Sequence, residues 1–251
     1  MTPRIVCVYS GTADGWASIA AAAAVRGAEI VTLTLDLGQG ADLEEVRDAA
    51  LAAGAVRAHV LDVREEFARE YVLPALQAGA LRHDPMAFGL AARLVSSKLE
   101  EVAAIEGATS AGSVPSHDNL LGRQGAAYTL TKAPADAPPS PAHVEIGFDG
   151  GVPLAINGVP MALTELIESL SIIAGHHGVG RLERVGDPGV TEAPAGVVLV
   201  AAYAALAEAC HPGPASGHVR LTLLQGDHSV IAVEPGSRVL DPGSRLAVER
   251  S

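Results

Sequence analysis

The sequence predicts an α/β protein, a doubly wound parallel sheet followed by a smaller α+β domain. Three observations lead there. Residues 5–9 (IVCVY) are a short continuous apolar run with the texture of a strand buried on both faces, and residues 29–35 read as a second strand. Ala-rich segments of helical character separate these runs, as parallel strands require. Beyond residue 142 paired strand-like runs flank Gly-containing turns, the mark of hairpins.

Residues 5–9 form the first expected strand, and residues 10–15 (SGTADG) the turn after it. The Ala-rich stretch 16–26 reads as a helix closed by Gly27. Residues 29–35 are the second strand, ending at the turn 36–40 (DLGQG). Asp42 then caps a helix over 43–53, with Glu45 at its third position as in a capping box. A third strand covers 58–61, a third helix 65–81 with a kink at Pro74, and a fourth helix 87–105 stopped by Gly107. Ligands of such sheets bind beyond the carboxyl ends of the strands, here the turns at 10–15 and 36–40. Residues 108–142 are rich in Gly, Ser and Pro and read as a connector. The second domain begins with a hairpin, 143–148 and 153–156 around Asp149-Gly150-Gly151. Helices over 163–174 and 197–209 follow, the latter entered through Pro194, and then a hairpin of 218–224 and 229–233. The expected organisation is 1–107 as a nucleotide-binding-like domain, 108–142 as connector and 143–251 as the second domain.

With 251 residues, 49% of them apolar and 18% charged, the chain can bury a substantial core. Its formal charge of −12 repels phosphate backbones and anionic lipid, so nucleic-acid and membrane partners are not expected. Two cysteines, Cys7 and Cys210, make neither a disulfide framework nor a zinc site, and no metal is expected. The start of the chain has no signal-peptide pattern, and residues 17–25 are too few to span a bilayer, so the expected compartment is cytoplasmic. His176-His177 are adjacent at a helix end and do not face one ion.

Taken alone, strand–SGTADG–helix is a modest anion-site signal, since glycines and backbone N–H groups at a helix start can approach a phosphate. The alternative is a tight turn with Asp14 as a cap. Longer segments add a resemblance. Residues 8–16 (VYSGTADGW) look like a worn copy of the Ala-x-Tyr-Ser-Gly-Gly-x-Asp-Thr-Ser opening of argininosuccinate synthases. Residues 34–40 (TLDLGQG), 62–67, 73–76, 144–146, 151–158 (GVPLAING), 165–168 and 173–181 (IAGHHGVGR) resemble that family in order along nearly the whole chain. The resemblance implies an adenine-nucleotide-hydrolase-like first domain and a synthetase-like second one. It also implies ATP-dependent joining of citrulline and aspartate, usually by a tetramer.

The departures from the pattern bear on function. The turn keeps Ser10, Gly11 and Asp14, but Thr12 replaces a Gly, Gly15 a Thr, and Trp16 the Ser that the motif needs. The family's acceptor-binding Tyr and Thr are replaced by Met86 and Leu90, and a further Tyr by Thr191. Its acceptor-binding Glu falls in a segment shortened near 185–189. Its glycine-rich aspartate loop survives at most as 107–109, and its C-terminal oligomerisation helix has no counterpart before Ser251. Residues 116–123 (SHDNLLGR) resemble Ser-x-Asp-x-Asn-Leu-Trp-Gly-Arg one residue shorter, which makes Ser116, Asp118 and Arg123 candidates for a substrate wall. A plain Arg123–Asp118 pair is the alternative.

The expectation is a repurposed, ATP-independent small-molecule enzyme of a biosynthetic pathway, working in a cleft between the halves. Asp14, Asp36, Asp118 and Glu192 are its candidate acids and bases, Glu192 having a capping role as the alternative. Ser10 and Gly11 are the remnant of the nucleotide loop, and Trp16, Gln39, Met86, Leu90, Ser116, Arg123 and Thr191 the substrate contacts. No cofactor is expected, and ATP with magnesium enters only if the chain is an adenylating ligase of altered specificity. A non-catalytic partner subunit is the third possibility. A homodimer is the expected assembly.

Overall fold

The computed structural model describes residues 2–10, 13–40, 42–111, 118–182 and 189–236. The chain forms two compact units, one of residues 1–71 and 87–120, the other of 72–86 and 121–251.

The first unit is a parallel sheet with helical crossovers. Strands β1 (Arg4–Val8), β2 (Glu29–Asp36), β3 (Arg57–Asp62) and β4 (Thr109–Ala111) lie in the order β3-β2-β1-β4. Ile5, Val6, Val31 and Leu33, and Thr32 between the last two, are essentially sealed from solvent, as strands of a sheet covered on both faces should be. Helix α1 (Ala13–Arg26) begins earlier than its Ala-rich body suggested, so Trp16 sits in its first turn. Helix α2 (Leu43–Ala53) starts as expected, with the Asp42 carboxylate accepting from the N–H groups of Glu44 and Glu45, and stops at Gly54 in a left-handed conformation.

The expected helix over 65–81 is instead a series of short turns. It runs α3 (Arg64–Glu66), a π-helical stretch Phe67–Val72, α4 (Leu73–Gln77) and a 3₁₀ turn Ala80–Arg82. Pro74 lacks the N–H that would close the ladder, and the backbone widens just before it. Helix α5 (Phe88–Glu106) then leads into β4, which docks beside β1 on the side away from β2. Strand order therefore reverses between β1 and β4, where open α/β sheets take ligands at their carboxyl ends.

The second unit contains two sheets. Strands β6 (Ala142–Asp149), β7 (Val152–Ile156), β8 (Val159–Pro160), β11 (Gly217–Leu224) and β12 (Asp227–Pro235) form an antiparallel sheet, ordered β12-β11-β6-β7-β8. Helices α6 (Leu163–His176) and α7 (Pro194–Cys210) pack on each other and on this sheet. Leu166, Ile167, Leu170, Leu199 and Leu206 on the helices and the inward strand positions Val144, Ile146, Val219, Leu221 and Leu223 are all buried. The α6 start is set by Glu165, whose carboxylate accepts the Ala162 N–H at 3.1 Å, and α7 starts with Pro194 in its first turn. A small sheet, ordered β5-β10-β9, joins β5 (Arg123–Gly125), β9 (Arg181–Leu182) and β10 (Val190–Glu192).

Candidate functional site

In the first unit the candidates gather at the carboxyl ends of β1 and β2. Ser10 is exposed just past β1, and Asp14 lies in the first turn of α1 with its side chain outside the described residues, as is the whole of Gly11. Trp16 is half-buried and packs on the core that contains Ile5, Cys7 and Ile19. Its ring meets Tyr9 edge-on, with centroids 6.0 Å apart. The indole is thus packing material of this unit, a correction to its reading as only a ligand wall.

The turn after β2 ties itself together. The Asp36 carboxylate accepts the Gly38 N–H at 2.8 Å and lies 3.3 Å from the Arg64 guanidinium. The Gln39 amide accepts from the Leu37 N–H and donates to the Leu35 carbonyl, both at 2.7 Å. Asp36 and Gln39, read as catalytic and substrate-contacting, therefore spend their polar groups on the turn. Leu120 N–H donates to Leu37 O at 2.7 Å, and a Cβ on Gly38 would overlap the Leu120 side chain. This close approach sets the half-buried Asp118, two residues earlier, near the β2 turn. Leu90 is half-buried on α5, and Ser116 lies outside the described residues.

The second unit holds the other candidates. Glu192 ends β10, opposite Arg123 of β5 and Arg181 of β9. Its side chain has no exposed surface. The carboxylate accepts the N–H of Thr129 at 2.9 Å, of Leu130 at 3.0 Å and of Thr131 at 2.8 Å, and the Thr131 hydroxyl at 2.7 Å. Arg123 Nη1 stands 3.5 Å from it and donates also to Ala127 O and Thr129 Oγ1. Burial pushes the Glu192 carboxyl up, and the hydrogen bonds from Thr129, Thr131 and Leu130 outweigh that and hold it below the usual carboxylate range. A buried carboxylate with both oxygens occupied is a poor proton shuttle, so Glu192 is corrected from a candidate acid–base group to a structural anion. Arg123 faces this anion, and a Cβ on Gly122 would run into the Glu192 carbonyl oxygen.

Arg181 completes the cluster. Its Nε and Nη2 donate to Thr131 Oγ1 at 3.1 Å and Thr131 O at 2.8 Å, and its guanidinium lies 3.7 Å over the Tyr128 ring. Thr191 is 1% exposed and its hydroxyl finds no hydrogen-bond partner among the described residues. Met86 is 2% exposed, so both of these expected substrate contacts are interior side chains. No group of three or more His, Cys, Asp or Glu side chains could hold a metal among the described residues. His177 is buried, and burial first, then His176 and Lys132, hold its imidazole below the usual histidine range.

One ionic cluster escaped the sequence. Glu106, its side chain 1% exposed, lies 2.7 Å from Arg57, 2.8 Å from His59 and 3.5 Å from Arg4. Arg4 and Arg57 open β1 and β3, so this cluster sits at the strand ends opposite the candidate site. Burial raises the Glu106 carboxyl, and the hydrogen bonds from His59 and Arg57 more than offset it. The available signal was a lone Glu in the apolar last turn of α5.

Comparison with known proteins accords with this layout. The family model described as the arginosuccinate synthase N-terminal HUP domain matches residues 4–114, and the arginosuccinate synthase C-terminal domain matches 116–211. An argininosuccinate synthase of Streptococcus suis is 31% identical over 72% of this chain and 64% of its own length. The argininosuccinate synthase of Bacillus cereus strain B4264 is 30% identical over 83% of this chain and 72% of its own. That of Geobacillus sp. strain WCH70 is 32% identical over 73% of this chain and 63% of its own. The chain thus spans less than two thirds of the Streptococcus and Geobacillus relatives. NAD+ synthetase from Burkholderia pseudomallei overlaps 45% of this chain at TM-score 0.32 and 22% identity. No helix among the described residues is long and apolar enough to cross a membrane. Two family models in tandem and relatives at this identity establish that the chain belongs to the argininosuccinate synthase family.

Proposed function

We propose that this member of the family does not make argininosuccinate, and that it acts without ATP on another small molecule at the carboxyl ends of β1 and β2. The observation that carries the reading is Trp16. Where the family motif has a serine hydroxyl at the start of α1, an indole packs on Tyr9 and the core below. With Thr12 and Gly15 also departing from the motif, two charge-assisted contacts to a phosphate are lost, each worth roughly 1.5–3 kcal/mol. Their loss weakens nucleotide binding by about a hundredfold or more, and an ATP dissociation constant above about 1 mM is expected. Of the four candidate acids, Asp36 and Glu192 spend their carboxylates on neighbouring groups, so neither is proposed as the acid or base.

The test is direct. Purified protein is incubated with citrulline, aspartate and ATP, and ATP binding is measured by calorimetry. No argininosuccinate and no binding below about 1 mM are expected. Product above background, or a micromolar dissociation constant, would overturn the reading. The retained Ser10 and Asp14 favour one rival, an ATP-dependent adenylating ligase with a different acceptor. Tight ATP binding without argininosuccinate formation would establish that rival instead.

A further inference from the structure

We infer that the segment Thr129–Thr131 is a carboxylate receptor whose resident occupant is Glu192, and that Glu192 acts by positioning Arg123 rather than by moving protons. Three consecutive backbone N–H groups converge on one side chain, at 2.8–3.0 Å, with the Thr131 hydroxyl as a fourth donor. Successive N–H groups aimed at one point form the kind of nest that binds free anions elsewhere. Here the anion is supplied by the chain itself, from a residue more than sixty positions away.

The arrangement is not a surface ion pair. The carboxylate is fully enclosed, and among the described residues its cation is Arg123, at 3.5 Å, while the neutral donors stand closer. Thr131 is the hinge of the cluster. Its N–H and hydroxyl face Glu192, while its carbonyl and hydroxyl oxygens accept from Arg181. One negative charge therefore fixes Arg123 directly and Arg181 through Thr131. Among the described residues Arg181 meets the Tyr128 ring and Thr131 and no carboxylate. Arg123 thus faces the buried anion itself, while Arg181 is held one residue away through Thr131.

A receptor built for a carboxylate should accept an external one once its own is removed. The variant is Glu192→Ala, which leaves a hollow lined by the same donors. The probe is sodium formate, with sodium chloride at equal ionic strength as control and the unaltered protein alongside. The expected result is a saturable rise of the thermal midpoint of Glu192→Ala in formate but not in chloride, with no such rise in the unaltered protein. The amide protons of Thr129, Leu130 and Thr131 should move downfield together over the same formate range. If Glu192→Ala does not fold in plain buffer, refolding is carried out in formate, and recovery of the native amide spectrum is expected there and not in chloride. Glu192→Gln supplies the second arm. It keeps the shape but sets an NH2 against donors, so it should gain nothing from formate. A folded Glu192→Ala variant blind to formate, or an unfolded one that formate does not rescue, would overturn the inference. So would equal stabilisation of all three proteins.

Discussion

Trp16 stands where the family motif carries a serine, and the two side chains ask opposite things of the start of α1. A serine would offer a hydroxyl to a phosphate, whereas the indole covers Tyr9 and the core. Trp16→Ala should therefore lower the unfolding free energy by roughly 1.5–2.5 kcal/mol, about half the cost of a fully buried aromatic, read from urea midpoints. Restoring the motif with Thr12→Gly, Gly15→Thr and Trp16→Ser should strengthen ATP binding at least tenfold by calorimetry, while costing stability at the same positions. Glu192 contributes, with Glu106, to the acid side of stability. Its folded pKa is depressed, so its contribution is present above the unfolded value of about 4.3 and is lost as pH falls through the lower folded value. Stability should drop below about pH 4.5 in the unaltered protein, and Glu192→Gln should flatten part of that drop while costing roughly 3–5 kcal/mol at pH 7. Denaturant midpoints between pH 3 and 7 give both numbers. The role of Glu192 was not legible in sequence, because its partners lie in residues 129–131 and their N–H groups leave no compositional trace.

The long elements of both units follow from local chemistry, and the short ones do not. Strand β1 announces itself by the apolar run IVCV, β2 by its β-branched and Leu residues, and α2 by its Asp42 cap and Gly54 stop. Asp42→Ala should cost about 1 kcal/mol, measured by thermal or urea unfolding, because two helix-start N–H groups lose their acceptor. The hairpins β6–β7 and β11–β12 are equally plain, since Asp149-Gly150-Gly151 and Gln225-Gly226 supply their turns. Strands β4, β5, β9 and β10 have two or three residues each, and exist only because a distant strand offers them a ladder. No window of sequence contains that information. The broken helix over 64–77 fails differently: Pro74 was visible, but a proline can be met by a kink or by a widened turn, and only packing chooses.

At the scale of the molecule, we propose a homodimer joined through the edges of the antiparallel sheet. Val159 beside β7 and Ile231 on β12 are 58% and 52% exposed, at the two outer strands. Light scattering at micromolar concentration should report a dimer, and Ile231→Lys should shift it toward monomer. A tetramer insensitive to that change would argue against these edges. The division into units also has a temporal side. Residues 72–86 belong with 121–251, yet they lie between two parts of the first unit. On a ribosome they emerge well before their partners, and at about 5–20 residues per second the bulk of the second unit follows over roughly 6–25 s. Through that interval Leu76, Leu81 and Met86, all buried in the finished protein, lack helix α7, against which α4 and the 3₁₀ turn pack. Nascent chains stalled near residue 120 should consequently recruit hydrophobic-binding chaperones at this stretch, and a gene cut there should yield aggregate. The order of synthesis, as much as the final contacts, constrains where this chain can be divided.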